Sequence, residues 1–283
     1  LAAPDVVMNY KNPASKYDAA GWVARSARDL DAQIGIYDVH AYPGQHEVRS
    51  GAYAEKLRRI RTEVPVGKKL ILGEAGYKYS APEDSLLKAE YDRRVEGHPF
   101  TKGSDCNMLC YDYFYGLDMP LLAMEVMNNG LSGVAAWMLD DAMHSNGDSG
   151  RTEDVKIWGM WNILGEEVFG DASQEELRPW YYTWSLMCRH FPAGCDVLAC
   201  EVPQREGLRV AAARKDAAYS VAAVNFSQEP CRLSCPETLP EAFFTVIRRA
   251  TGRATQTDFP RRANAALRGS VSARRFPPKV SFC

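Results

Sequence analysis

The stretch KKLILGEAGYKYS, residues 68–80, joins an apolar run to a single acid. The apolar residues at 70–72 lead into Gly73, and Glu74 follows, with Gly76 two positions further on. A short run of this kind is typical of a strand that is buried in a parallel sheet. Glycine lets a backbone turn tightly and leaves space beside a neighbouring side chain. The stretch therefore predicts that Glu74 stands at the end of a buried strand, where a substrate can approach it.

Strand and helix patterns alternate along the first two thirds of the chain. The strand patterns cover 34–43, 68–76 and 132–141, and the helix patterns cover 20–30, 52–64, 119–130 and 178–191. This alternation indicates parallel strands that are joined by helical crossovers, so the predicted fold class is α/β. Each strand is apolar nearly throughout, which predicts that both faces of the sheet are buried.

Polar and aromatic side chains gather where each of the three strands ends. They are Asp38, His40 and Tyr42 after the first strand, Glu74 and Tyr77 after the second, and Trp137, Asp140 and Asp141 after the third. In a parallel α/β barrel the carboxyl ends of the strands form one rim, and catalytic residues lie there. We therefore expect Glu74, His40 and Trp137 to converge on one concave surface.

The pattern changes after Gly194. Short strand-like runs follow one another with turn residues between them, at 196–202, 207–214, 218–226, 231–236 and 242–249. No convincing helix pattern separates them. Residues 195–283 are therefore predicted to form a second domain, an antiparallel sheet or small β-sandwich, and residues 1–194 to form the first.

Composition and charge exclude several classes of function. The 283 residues carry a net charge of −2, so neither nucleic acid nor an anionic membrane surface is an expected partner. No apolar run reaches the roughly 18–20 residues that a membrane span needs, and no signal peptide is visible. Eight cysteines occur, but neither of the two C-x3-C pairs has the companion ligands of a zinc site. Most of them are expected to be small buried residues, although an even count is compatible with disulfides.

Three segments, in this order, resemble a known family: IYDVHAYPG (36–44), ILGEAGY (71–77) and GVAAWMLDD (133–141). They look like strands six, seven and eight of the clan A retaining glycoside hydrolases, a group that includes cellulases and β-xylosidases. The resemblance implies that residues 1–194 are the C-terminal part of a (β/α)8 (TIM) barrel, with strands five to eight. It also implies that residues 195–283 are a small β-sandwich, which is common after such barrels, and that the helix at 178–191 is the last barrel helix.

The resemblance also implies roles for individual residues. The glutamate that ends strand seven is the nucleophile in this clan, which points to Glu74. A retaining enzyme pairs its nucleophile with an acid about 5–5.5 Å away. His40 or Tyr42 is expected to donate a hydrogen bond to Glu74, and Trp137 to stack on a sugar ring. Tyr77 and Asp140 are further expected substrate contacts.

The acid/base residue of the clan is a glutamate that usually follows an asparagine at the end of strand four. No Asn-Glu pair occurs in the 283 residues. The acid/base is therefore expected upstream of this chain, in an N-terminal half of the same protein that supplies strands one to four. The activity of the 283-residue chain alone is left open.

The predicted function is a glycosidase that acts on a β-linked oligosaccharide or polysaccharide, with no cofactor and no metal, in a secreted or periplasmic protein. The alternative is a non-catalytic carbohydrate-binding or structural protein on a barrel scaffold. An α/β enzyme of another class is a third hypothesis, but no G-x-S-x-G elbow, P-loop or G-x-G-x-x-G motif supports it. Structural roles stay open as well: an ion pair for Glu74, a loop contact for His40, packing for Trp137 and loop organisation for Asp140.

Overall fold

The computed structural model describes residues 1–9, 13–98, 106–143, 155–200, 206–227 and 229. The chain divides into two compact units. The first contains residues 1–110 and 121–176, and the second contains residues 111–120 and the chain from Leu177 onward. The division into domains at residue 194 stays a prediction.

The first unit is built on a sheet of four parallel strands. They are β1 (Ala2–Val7), β2 (Ile36–Ala41), β3 (Lys69–Ala75) and β4 (Gly133–Ala136), and they lie in the order β1-β2-β3-β4. Because consecutive parallel strands are neighbours, each connection crosses over one face of the sheet. The α/β class with parallel strands is thus confirmed.

Helices connect these strands, and the apolar pattern predicts three of them, at 20–30, 52–64 and 119–130. Before β4 they are α1 (Ala19–Leu30), α2 (Gln45–Ser50), α3 (Ala52–Glu63), α4 (Ser85–Gly97) and α5 (Tyr113–Asn128), and α6 (Gly165–Phe169) comes later in the chain. A short antiparallel pair, β5 (Ala142–Met143) and β6 (Val155–Lys156), follows β4. In α3 the buried residues Tyr53, Leu57 and Ile60 recur at helical spacing, which is why the sequence predicts this helix well.

The sheet is buried on one face, so the prediction of two buried faces is wrong for the described structure. Side chains of β2 and β3 alternate: Tyr37, Val39 and Leu72 are buried, whereas Asp38 and His40 are partly exposed. Apolar character alone does not reveal whether a second layer covers the other face, because isoleucine and valine are compatible with either environment. The partly exposed face carries the polar residues of the site described below.

The apolar pattern does not predict α4. This helix has no buried residue, so it lacks the apolar stripe that periodicity detects. Its signal is a set of ion pairs one helical turn apart, between Lys88 and Asp92 and between Glu90 and Arg94. A pattern of apolar residues does not reveal such a helix, but opposite charges four residues apart do.

The second unit contains a helix and a separate antiparallel sheet. The helix is α7 (Pro179–His190), and the strands are β7 (Asp196–Leu198), β8 (Leu208–Lys215) and β9 (Ala218–Asn225), in the order β7-β8-β9. Strands β8 and β9 form a hairpin whose turn places Asp216 at a φ of 54°, a conformation that aspartate adopts more readily than most residues. The antiparallel sheet is confirmed. The runs at 231–236 and 242–249 lie outside the described residues, so the sandwich stays a prediction.

Two sequence-based expectations concern the whole chain. In the part of the chain that the structure describes, no helix is long and apolar enough to cross a membrane. Among the described cysteines, Cys106 and Cys110 are buried, but Cys188 is exposed. Cys195 and Cys200 are only partly buried, so the expectation that most cysteines are buried does not hold for the described ones.

Candidate active site

The register of the parallel strands brings three predicted residues to one edge of the sheet. His40 in β2 is the direct partner of Glu74 in β3. On the other side of β3, Ala75 pairs with Ala136 of β4, and the Trp137 N–H donates to the Ala75 carbonyl at 2.8 Å. Glu74 therefore lies at the end of β3, between the end of β2, which carries His40, and the end of β4, which leads into Trp137. The Trp137–Met138 peptide bond is cis.

The Glu74 carboxylate has a separate neighbour on each oxygen. The Tyr42 hydroxyl donates a hydrogen bond to Oε1, and His40 Nδ1 lies 3.2 Å from Oε2. The side chain remains 24% exposed, so one edge of it reaches solvent. Hydrogen bonds from protein donors favour the ionised form of a carboxylate. The geometry thus provides an accessible, oriented carboxylate at the carboxyl edge of a parallel sheet.

Tyr42 is itself held in place by its surroundings. Its ring meets the buried Trp158 ring edge-to-face, with centroids 5.4 Å apart, and the Lys78 ammonium lies 4.9 Å from its centroid. Its backbone N–H donates to Asn9 Oδ1 at 2.9 Å. Because Tyr42 is buried, it positions Glu74 and offers little surface to a sugar. The predicted donor role fits this geometry better than the predicted substrate contact.

The two glycines beside Glu74 make room for protein side chains. A Cβ on Gly73 would collide with the Asp38 carboxylate, and a Cβ on Gly76 would lie 3.0 Å from Trp158 and 3.2 Å from Tyr42. The expectation that these glycines leave space for a substrate is therefore wrong. They are needed because neighbouring side chains pass directly over the backbone.

Asp38 is tied to the strand that carries Glu74. Its Oδ1 accepts a hydrogen bond from the Gly73 N–H at 2.7 Å. Burial raises the pKa of Asp38, and nearby Asp5 acts in the same direction, whereas the Gly73 hydrogen bond and His40 oppose the shift. Burial is the largest of these effects, since removal from water disfavours the charged carboxylate.

This raised pKa makes a prediction about Asp38→Asn. Above its unfolded pKa of about 3.9, Asp38 ionises more readily in the unfolded chain, so wild-type folding carries a penalty that grows with pH through the folded pKa. Asparagine removes that penalty and can still accept from Gly73. The difference in Tm, variant minus wild type, is expected to increase between about pH 3.5 and pH 7. Asp92→Asn on exposed α4 is the control for loss of charge, and a difference that falls with pH would contradict the prediction.

The other nitrogen of His40 faces a second acid. His40 Nε2 lies 2.6 Å from Asp5 Oδ1, and the donor atoms of Asp5, Asp38 and His40 all lie within 4.8 Å of one another. Carboxylate and imidazole ligands of this kind suit a divalent cation such as Zn²⁺ or Mn²⁺. An ion would have to replace the direct Asp5–His40 contact. That no metal is required stays a prediction.

Two further predicted substrate contacts lie elsewhere. Tyr77 is 1% exposed and stacks on Tyr79, so little of its ring is available to a sugar, and its contact with a substrate stays a prediction. Asp140 accepts a hydrogen bond from the Ile163 N–H at 2.9 Å, and the buried Asp141 accepts from the backbone of Trp158 and Gly159. Both acids organise a loop, which is the structural role that the sequence left open for Asp140. The sequence pattern shows that polar residues follow a strand, but it does not show which of them face the interior and which face the site.

Sequence patterns do not reveal three residues of this site. Asp5 lies in β1, and Trp158 and Lys78 lie in loops. For Asp5 there is a weak signal, an acid after a proline in an otherwise apolar strand. No sequence pattern identifies Trp158 as a residue of the site, because its position in the sequence does not indicate that its ring packs against Tyr42.

The sequence and the structure were compared with those of known proteins. No protein-family model matches the sequence, and no curated protein matches it. Among solved structures, the chain is similar to a monomeric beta-xylosidase from Caulobacter crescentus CB15, with a TM-score of 0.43 and 14% sequence identity. The match covers 92% of this chain and 41% of that protein. The function proposed below rests on the contacts around Glu74.

Proposed function

We propose that this chain is the nucleophile-bearing part of a retaining β-glycoside hydrolase, with Glu74 as the nucleophile. The observation that supports this function best is the Glu74 carboxylate, which is partly exposed at the strand ends with Tyr42 on one oxygen and His40 beside the other. A structural ion pair needs neither a tyrosine hydroxyl nor access to solvent. A nucleophile needs an ionised carboxylate, a fixed orientation and a free approach.

In the proposed reaction, a Glu74 oxygen attacks the anomeric carbon of the bound sugar. The bond from that carbon to the leaving oxygen breaks as the new ester bond forms, and a general acid protonates the leaving oxygen. The same acid/base residue, now deprotonated, then takes a proton from a water molecule. The oxygen of this water attacks the anomeric carbon and breaks the ester bond, which releases the sugar with its original configuration and regenerates Glu74. Each carboxylate oxygen has two lone pairs, so one oxygen can accept from its donor and still attack.

The donors on Glu74 have a defined role in this mechanism. Tyr42 and His40 stabilise the carboxylate before attack and fix the plane in which its lone pairs point. Trp158 and Lys78 hold the Tyr42 ring, which in turn limits rotation of its hydroxyl. On the other neighbouring strand end, Trp137 is partly exposed, and we propose that it offers a ring face to the sugar.

The general acid belongs to the proposal as well. Asp140 and Asp141 hold a loop through backbone N–H groups, and Asp5 lies on the opposite edge of the His40 imidazole from Glu74. A sugar cannot lie between Asp5 and Glu74, because the imidazole fills that space. We therefore propose that β1 to β4 correspond to strands five to eight of a barrel. The acid/base glutamate would then come from an upstream part of a secreted protein.

A mechanism-based label tests the nucleophile. The reagents are dinitrophenyl β-glycosides in which fluorine replaces the hydroxyl next to the anomeric carbon, in xylose and glucose forms. Because the dinitrophenolate leaves without protonation, labelling does not require the general acid. The expected result is one covalent sugar adduct, located on Glu74 by peptide mass spectrometry, and slower labelling of Tyr42→Phe. An adduct on another residue would assign the nucleophile elsewhere.

The second candidate function is carbohydrate binding without chemistry. The position of Asp5 favours this function. Asp5 lies at the edge of the His40 imidazole that faces away from Glu74, so it does not serve as the second carboxyl group of a glycosidase. A binding protein would retain β-linked oligosaccharides in isothermal titration calorimetry and would not react with the label. The two measurements together therefore distinguish an enzyme from a binder.

A further inference from the structure

One buried acid takes no part in the proposed reaction. Asp84 ends a short 3₁₀ helix, Pro82–Asp84, that precedes α4, and it is only 4% exposed. Its Oδ1 accepts a hydrogen bond from the His46 N–H at 3.0 Å. In the part of the chain that the structure describes, its Oδ2 has no hydrogen-bond partner. Burying an acid with so few hydrogen bonds costs free energy, so the position of Asp84 calls for a specific explanation.

Asp84 packs against Gly44, in the loop after β2. A Cβ built on Gly44 would lie 2.2 Å from Asp84 Oδ2, so the carboxylate occupies the space of a side chain. Gly44 has a φ of −78° and a ψ of 163°, an extended conformation that any residue adopts. The glycine is therefore needed for the approach of Asp84 and not for the shape of its own backbone. Asp84 makes no capping hydrogen bond to α4, so the usual local role of an aspartate at this position does not apply.

Asp84 completes a set of ties between the loop after β2 and the loop after β3. Two backbone hydrogen bonds join the starts of these loops, from the Gly76 N–H to the Ala41 carbonyl at 3.2 Å and from the Lys78 N–H to the Pro43 carbonyl at 3.1 Å. They extend the parallel pairing of the two strands. The hydrogen bond that Asp84 accepts lies further along both loops. Its side chain therefore holds the loops together beyond these backbone bonds.

The loop that Asp84 holds carries Tyr42, the donor to Glu74. Tyr42 lies two residues before Gly44, and its hydroxyl donates to Glu74 Oε1. Movement of Gly44 would therefore shift Tyr42 relative to the carboxylate on β3. We infer that Asp84 is a positioning residue, which holds the loop at Gly44 and thereby keeps the Tyr42 hydroxyl on the nucleophile. This role rests on the proposed function, and Asp84 does not touch the sugar in it.

A double-mutant cycle tests this role with the fluorinated dinitrophenyl β-glycoside that labels the nucleophile. Asp84→Ala is expected to lower the maximal rate of Glu74 labelling about three- to tenfold, with the half-saturating glycoside concentration changed less than about twofold. In the Tyr42→Phe protein, Asp84→Ala is expected to change the rate less than about twofold, because the hydroxyl that Asp84 positions is absent. Asp92→Ala removes an exposed acid of α4 and is the control, with no expected effect in either protein.

Two outcomes of the labelling would overturn the inference. Equal losses with and without the Tyr42 hydroxyl would mean that Asp84 acts by another route. A lower Tm with unchanged labelling would mean that Asp84 is only structural. If Asp84→Ala does not fold, Gly44→Ala tests the same contact from the other loop, because its Cβ displaces the Asp84 carboxylate. Gly44→Ala is expected to show the same dependence on the Tyr42 hydroxyl, and equal losses in both proteins would again overturn the inference.

Hydrogen exchange separates this inference from the proposed function. The Tyr42 N–H donates to Asn9 Oδ1 at 2.9 Å, so its exchange rate, measured by NMR, reports without any substrate how firmly the loop is held. Relative to amides in the middle of β2, we expect this exchange to be about three- to tenfold faster in Asp84→Ala and unchanged in Asp92→Ala. Equal relative exchange in wild type and Asp84→Ala would overturn the tie between Asp84 and this loop. If no glycoside labels Glu74 but the exchange rates differ, the proposed function fails while the tie stands.

Discussion

In the full-length protein that supplies the acid/base residue, Glu74→Gln is expected to reduce turnover of a dinitrophenyl β-glycoside by roughly 10⁴-fold, since loss of a nucleophile typically costs several powers of ten in rate. Glutamine has the shape of glutamate, and its carbonyl oxygen can still accept from the Tyr42 hydroxyl. An amide is too weak a nucleophile to form the glycosyl ester. The Tm is expected to stay within a few degrees of wild type, because no large group is added or removed.

Two companion variants make this result specific. Glu167→Gln removes an exposed acid on α6 and is expected to leave turnover unchanged. Glu74→Gly opens a cavity at the nucleophile position, and added azide should enter it and attack the anomeric carbon. The product expected in a retaining site is a glycosyl azide of inverted configuration, detectable by proton NMR. Near-normal turnover by Glu74→Gln would rule out Glu74 as the nucleophile.

Gly159→Ala is expected to have the largest effect on stability. A Cβ at this position would lie 2.5 Å from the Asp140 carbonyl carbon and the Asp141 nitrogen, and 2.7 Å from the Trp161 oxygen. These are backbone atoms, so rotation of a side chain cannot relieve the overlap. The Gly159 N–H also donates to the buried Asp141 carboxylate at 2.8 Å, and movement of the backbone would break that bond.

The cost of this substitution has two parts. Overpacking costs about 1–3 kcal/mol, and loss of one hydrogen bond to a charged group costs about 1.5–3 kcal/mol. At about 2–4 °C per kcal/mol for a unit of this size, we expect Tm to fall by about 10 °C. Gly97→Ala is the control, since a Cβ there would meet no atom within 4 Å. A Tm for Gly159→Ala within about 2 °C of wild type would show that the loop can move at little cost.

Gly159→Ala should also lower activity in the surviving folded protein. Trp158 precedes Gly159, and its ring holds Tyr42, which donates to Glu74. A displaced Trp158 would therefore loosen the nucleophile without any change to a residue that touches the substrate. Slower labelling of Glu74 below the new Tm would reveal this connection.

The sequence by itself determined the elements that have a buried apolar side. The periodicity of α3 and the apolar runs of β2 and β3 predict these elements to within a few residues, because burial requires apolar side chains at regular intervals. The same patterns place Glu74 beside His40, since parallel strands end at one edge of a sheet. The apolar pattern misses α4 because this helix has ion pairs on its surface and no buried residue.

Only the tertiary structure decided what surrounds Glu74. Gly73 and Gly76 are explained by Asp38, Tyr42 and Trp158, which come from distant parts of the chain. The sequence also does not disclose that Asp5 leaves the ladder of β1 to reach His40, or that Tyr77 turns into the interior. Local patterns record whether a residue is buried. Which side chain lies opposite it depends on the packing of segments far apart in sequence, and that packing sets the hydrogen bonds and charges of the site.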